Sequence, residues 1–318
     1  MRTFTAGSIL VFCILATGCG GRITDPGPVD DSALDETLAL PAIVNGMSRS
    51  LSRALGYVAY TGAAESREIV ASGSTSQFGI TVRQRQGILD PGTADTNDHW
   101  QFAQQARWVA EDGVRRMRET LGEGFAKSPY AAEALVNVGF ANRLLGENMC
   151  DGVIDGGPIQ PRKIYFERAE LAFTEAIGIA VAAKSTNLEQ AARAGRASVR
   201  VWIGNWAGAA SDANLVASGF RYQARYSAIE LDQYNRIFWA NSNQPYRAHS
   251  VVTTFYEGYY LSSNDPRVAW KTNPAIPMGT QGNVPWLFQT KYDKRESPID
   301  HVLRQLEVRD AVAEQAAG

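Results

Sequence analysis

The chain has 318 residues, 45% of them hydrophobic, enough for one large core or two modest ones, so disorder as the dominant state is excluded. Lysine and arginine number 31 against 33 acidic residues and the pI is about 6.0, which leaves no field of one sign to gather nucleic acid. Three histidines and three cysteines, with no CxxC or HExxH spacing and no P-loop, argue against a metalloenzyme and give no cofactor motif.

Arg2 supplies a positive start, and Ile9 to Ala16 form an apolar stretch too short for the roughly 20 residues that span a bilayer. Residues 1–18 therefore read as a signal peptide. The stretch ends in Ala16-Thr17-Gly18-Cys19, which resembles the bacterial lipobox, where cleavage falls before a cysteine whose thiol carries the lipid. Cys19 is the expected lipidation site. Several acyl chains, such as palmitate, at about 0.8 kcal/mol per buried methylene, make such an anchor effectively permanent. Gly20, where an Asp would favour the inner membrane, points to the outer membrane. The alternative is an ordinary secretory signal with an incidental cysteine. Cys13 leaves with the signal, so the mature chain keeps one free thiol, Cys150, and no internal disulfide. Cys150 reads as a small buried hydrophobe.

Residues 19–38 are rich in Gly, Pro and Asp, as a tether leaving a membrane should be. The rest, 39–318, reads as one domain. Residues 40–61 and 100–121 have helical periodicity, with Leu51, Leu55 and Val58 on one face of the first and Trp108, Val109 and Met117 marking the second. Ser72 to Asp98 between them reads as loop.

Two helical hairpins occupy 130–218. Ala134, Val138, Ala141 and Leu145 recur at spacings of four, three and four, and Phe166, Ala169, Phe173, Ala176, Ile177 and Ala180 mark the second helix. Leu188, Ala191, Gly195, Val199 and Trp202 lead to Gly204, after which Trp206, Ala209, Ala210 and Ala213 continue. Gly204 sits in the turn position of a tetratricopeptide-like unit, with Trp206 and Ala210 where an aromatic and an alanine are expected. A single unit cannot bury both faces, so helices of the N-terminal half must complete the stack. The fold class is mostly α, with tetratricopeptide-like hairpins and an irregular aromatic-rich region carrying short strands at most. The 18-residue stretch Glu147 to Ile164, with Gly156-Gly157-Pro158, is a long loop between paired helices.

A helix closing on NRLLGENMC, a Gly-Gly-Pro loop, FERAELAFTEAI and a tetratricopeptide-like pair, in a lipoprotein, resemble the SusD/RagB family of outer-membrane nutrient-binding lipoproteins. SSNDPRVAW at 262–270, KYDKRESPI at 291–299 and VLRQLEVRDAVAEQAA at 302–317 resemble the family's Asp-Pro-Arg segment, its Lys-Tyr strand and the Arg-x-x-Glu helix that follows. The chain ends at Gly318, short for the family. The resemblance implies a binding protein without catalysis, surface-exposed on the outer membrane, that passes a glycan or oligopeptide to a TonB-dependent transporter of the SusC type.

Residues 220–292 hold 15 of the 31 aromatic residues in under a quarter of the length. Aromatic faces stack on sugar rings while neighbouring polar groups bond hydroxyls, so this region, extended to 300, is the expected ligand region. Trp270, Trp286 and Tyr292, flanked by Lys, Asn, Pro and Gly, are the expected exposed ligand-binding rings, followed by the adjacent Tyr259 and Tyr260. Asp265 and Arg267 read as a local ion pair around Pro266. Two other readings remain open: a secreted glycosidase working through two carboxylates, and a tetratricopeptide scaffold for outer-membrane assembly. No GxSxG motif is present, and His99, His249 and His301 stand apart, each read as a surface or hydrogen-bonded core histidine.

Overall fold

The computed structural model describes residues 31–73, 94–244 and 246–317, with side chains throughout except at 94–96, 304 and 305. The signal peptide, Cys19 and most of the loop from Ser72 to Asp98 lie outside the described residues. Residues 31–38, the end of the expected tether, run as short 3-10 turns against the body, where Arg116 holds Asp31 at 2.8 Å and Asp35 at 2.9 Å.

The helices follow the apolar spacing. Helix α1 is Leu40–Glu65 and α2 is Ala94–Leu121. Helix α3, Pro129–Asn148, starts where Ser128 accepts the Ala131 N–H, with Pro129 in the first turn, where its missing N–H costs nothing. Helices α4, Lys163–Ala182, and α5, Thr186–Trp202, follow, and α6 is Trp206–Asn214. Between α5 and α6, Gly204 takes φ +77 and Asn205 Oδ1 accepts the Gly208 N–H at 3.1 Å, so the turn forms where the repeat pattern places it.

Helices α1 to α5 share one large core, and every marker residue expected in α3 and α4 is buried in it. Phe173 of α4 wedges between Gly139 of α3 and Gly195 of α5, where any Cβ would overlap the ring. Trp202 is 47% exposed at the end of α5, stacked on Phe166 at 5.5 Å. Trp108 likewise faces solvent, because the inward stripe of α2 runs through Ala103, Ala106, Ala110 and Met117. One face of the stack is closed by α1 and α2, as expected. The other is closed from the C terminus, where Ala311 packs on Ala209 and Ala210.

Arg193, Arg196 and Arg200 line one face of α5 at spacings of three and four and converge on the buried Asp212 of α6. Both Asp212 oxygens accept from Arg196, at 2.6 and 2.7 Å, which fixes how the last hairpin closes.

The long loop after α3 is ordered by its own small hairpin, β2 (Asp151–Gly152) against β3 (Gln160–Pro161), and by buried partners beneath it. Strand β1 is Val70–Ala71, earlier in the chain. Tyr165 Oη bonds both the N–H and the carbonyl of Val153 at 2.9 Å, and the buried Arg107 reaches Asp155 at 2.6 Å. Cys150, expected to be buried, is exposed: the chain leaves α3 there and Met149 takes the inward position.

Beyond α6 the chain is irregular. Strand β4 is Arg221–Ala224, β5 is His249–Ser250, helix α7 is Phe255–Ser263, β6 is Trp270–Thr272, β7 is Leu287–Gln289 and β8 is Ile299–Leu303, before helix α8, Arg304–Ala317. The strands pair antiparallel in twos, β1 with β5, β4 with β8 and β6 with β7, so the described strands form no larger sheet. The expected Lys-Tyr strand is displaced: residues 290–298 are turns, and pairing begins at Ile299 opposite Ala224. A second core cluster lies under this region, with Tyr60 and Trp239 at its centre. Among the described residues no helix is long and apolar enough to cross a membrane.

Candidate functional site

Helix α7 carries four rings in nine residues. The spacing puts Phe255 and Tyr259 on one face, and Tyr256 and Tyr260 on another. Phe255 is 74% exposed and lies nearly parallel to Tyr259, centroids 5.5 Å apart and planes at 23°. Tyr260 meets Trp270 of β6 edge-on at 5.9 Å, and the Trp270 indole N–H donates to the Glu257 carbonyl at 3.4 Å, tying strand to helix. Tyr256 instead turns toward Glu68, whose charge raises the phenol's pKa.

The helix is held at both ends. Glu257 accepts the Thr253 N–H at 2.5 Å at the start. Asn264 ends it in the left-handed region at φ 52, followed by the expected ion pair, Arg267 on Asp265 at 2.5 Å. Arg267 holds the Asp265 carboxyl down to about 2, and Tyr259 Oη donates to the same carboxylate at 3.4 Å. Together α7, the Asp-Pro-Arg turn and β6 form a shelf whose upper surface is a stacked pair of rings with hydroxyl, carboxylate and guanidinium groups at its edge.

Tyr259, Tyr260 and Trp270 therefore come together, each partly buried, on a helix and a strand rather than in a loop. Phe255, the most exposed of these rings, was absent from the sequence expectation, although its i, i+4 relation to Tyr259 marks it. Tyr292 is partly buried on the second core cluster, its backbone N–H donating to Gln289 Oε1 at 2.8 Å, with no ring contact to the shelf. Trp286 is a correction: it is fully buried. Residues 277–286 fold back with Met278 opposite Pro285, which turns the indole inward against Phe288 at 4.6 Å. The polar neighbours that suggested exposure belong to that turn.

His249 is buried and within 3.4 Å of Tyr60 Oη, while His301 lies flat on Phe140 at 4.8 Å. Among the described residues no group of three His, Cys, Asp or Glu side chains is placed to hold a metal.

Three solved structures share this architecture. A SusD-superfamily protein from Bacteroides thetaiotaomicron superposes with a TM-score of 0.61 at 10% identity, over 88% of this chain and 77% of that one. The chain has the SusD-like fold. A laminarin-binding SusD-like protein matches with a TM-score of 0.62 at 12% identity, over 89% and 81% of the two chains. A SusD-like carbohydrate-binding protein from Bacteroides vulgatus gives 0.54 at 13%, over 89% and 74%. No family model and no curated protein sequence matches the chain. The SusD-like fold accounts for the helical stack that backs the shelf and for the irregular segments that build it.

Proposed function

We propose that the chain is a glycan-binding protein without catalytic activity, anchored through Cys19 in the outer membrane, that delivers its ligand to a TonB-dependent transporter of the SusC type. The observation that carries this reading is the near-parallel pair of exposed Phe255 and half-buried Tyr259 beside the Tyr260–Trp270 corner. Stacked aromatic faces offer a sugar ring apolar contact, and the exposed Arg267 guanidinium at their border offers hydroxyls donors. Two of the fold's structural neighbours are carbohydrate-binding proteins, one of them binding laminarin, which makes β-glucans the first ligands to try.

The test is calorimetric titration of soluble glycans, laminarin first, into wild type and a Phe255→Ala/Tyr259→Ala double variant. A loss of at least tenfold in affinity at unchanged melting temperature is expected. Equal affinity in both proteins rejects the shelf as the site. Co-purification of a large outer-membrane barrel with tagged protein tests the transporter.

A further inference from the structure

We propose a second binding site, for a short saccharide carrying a carboxylate, in the polar cleft between α1, α3 and β4. The cleft encloses ≈ 730 Å³, within the roughly 300–1,000 Å³ range of small-molecule sites. It lies apart from the shelf, and none of the shelf rings lines it.

Gln233 lines this cleft and is 4% exposed, yet its side-chain Nε2 has no hydrogen-bond partner. An unpaired buried amide costs about 1–3 kcal/mol, so the site is arranged for a ligand that satisfies it. Several other polar groups of the cleft are already spent. Asn137 bonds Ser48 and the Glu133 carbonyl, and Tyr226 Oη donates to the Ser52 carbonyl at 3.0 Å. Among the cleft's charged groups and buried amides, those left without a partner are one amide, one acid and one cation.

The cation is Arg225. Of the three arginines on the cleft, Arg49 is paired with Glu230 at 2.6 Å and Arg221 with Asp300 at 2.7 Å, whereas Arg225 makes no hydrogen bond or ion pair with any described residue. The acid is Glu133, whose carboxylate accepts no hydrogen bond from the described residues; burial raises its pKa against the pull of Arg225. A simple carboxylate such as acetate would satisfy Arg225 but bring no donor for Glu133. A sugar acid supplies both halves: its carboxylate answers Arg225, and its hydroxyls donate to Glu133 and accept from Gln233. Tyr222 forms an apolar wall, held flat against Phe140 at 5.7 Å.

The probe is digalacturonate, titrated into wild type, Arg225→Ala, Gln233→Leu and the Phe255→Ala/Tyr259→Ala variant. Arg225 is exposed and unpaired, so its removal leaves the fold intact. Expected is binding to wild type that falls at least tenfold in Arg225→Ala, falls in Gln233→Leu, and is unchanged in the shelf variant. A neutral disaccharide should bind at least tenfold more weakly than digalacturonate. No binding at millimolar concentration, equal binding by Arg225→Ala, or loss in the shelf variant alone overturns the proposal; the first two leave glycan binding at the shelf untouched, and the third would place digalacturonate on the shelf instead.

Discussion

The indole N–H of Trp286 donates to the main-chain carbonyl of Asn241 at 2.8 Å, and the same asparagine's side-chain oxygen accepts the Gln289 N–H at 2.5 Å. Asn241 lies in a single π-helical turn, Phe238–Ser242, and its amide nitrogen donates to the His249 carbonyl at 2.9 Å. One buried asparagine thus joins three segments, with Trp286 filling the space beside it.

Trp286 therefore works as core. Trp286→Ala should cost about 3–5 kcal/mol, the range for deleting a large buried ring, and should leave glycan affinity of the folded fraction unchanged. Urea unfolding read beside titration separates the two. Weakened binding at unchanged stability would return Trp286 to the ligand surface.

Two glycines should behave oppositely to a third. Helical Gly→Ala ordinarily stabilises by about 0.5–1 kcal/mol. That is the expectation for Gly178, which has open space around it. At Gly139 and Gly195 the new methyl meets the Phe173 ring, and overpacking of about 1–3 kcal/mol outweighs the gain. Thermal melts of the three single variants should show one small rise and two falls. A rise at all three would mean that Phe173 has room to move.

The helical stack was legible because its cause is local: small and apolar residues at three- and four-residue spacing have to face a core, and Gly204 has to form a turn. The shelf was half legible. Adjacency of Tyr259 and Tyr260 suggested a loop, whereas Glu257 and Asn264 cap a short helix around them. Trp286 was misread because its flanking residues reveal a turn but not the direction in which the turn delivers the indole. Gln233, Arg225 and Glu133 carried no signal at all. Their relation exists only after α3 and β4 pack, and what marks them is the lack of partners that their neighbours have.

The converging arginines of α5 make Asp212 the most exposed to substitution of the buried acids. Asp212→Asn keeps the shape and removes the charge, leaving Arg196 and Arg200, both largely buried, with weakened partners. A loss of about 3–5 kcal/mol is expected, the range for breaking a buried pair from one side. Guanidinium denaturation measures it. A change under about 1 kcal/mol would show that solvent reaches these arginines and screens them.

Cysteine chemistry gives two separate outcomes. Cys150 is exposed, so a maleimide should label the native protein without denaturant, and protection until unfolding would contradict the exposed position. Cys19→Ser should release the protein from the detergent phase of a partition experiment, if the lipid sits where the lipobox-like residues 16–19 put it. Retention in that phase would remove Cys19 as the anchor.

The pH dependence of stability should carry two opposing slopes from groups on either side of Arg143. Burial, assisted by the Arg143 charge, pushes the His301 pKa down to about 3, so the folded protein binds fewer protons than the unfolded chain between about 3 and 6.5, and stability falls as pH falls through that window. Burial pushes Glu307 the other way, up to about 7 despite Arg143 at 3.7 Å, so the folded form keeps a proton that the unfolded chain loses above about 4.5. Its contribution is complete below 4.5 and fades as pH rises to 7. Each slope is about 1.4 kcal/mol per pH unit, so the two cancel between about 4.5 and 6.5. Glu307→Gln removes the second slope alone. Relative to wild type, the variant should gain stability steadily from pH 4.5 to 7, by about 3 kcal/mol in all, with a constant difference outside that window. Denaturant titrations at half-unit steps measure this difference profile, in which every other titrating group subtracts out. A flat difference from pH 4 to 8 would mean that Glu307 is ionised in the folded protein and that its pairing with Arg143 outweighs burial.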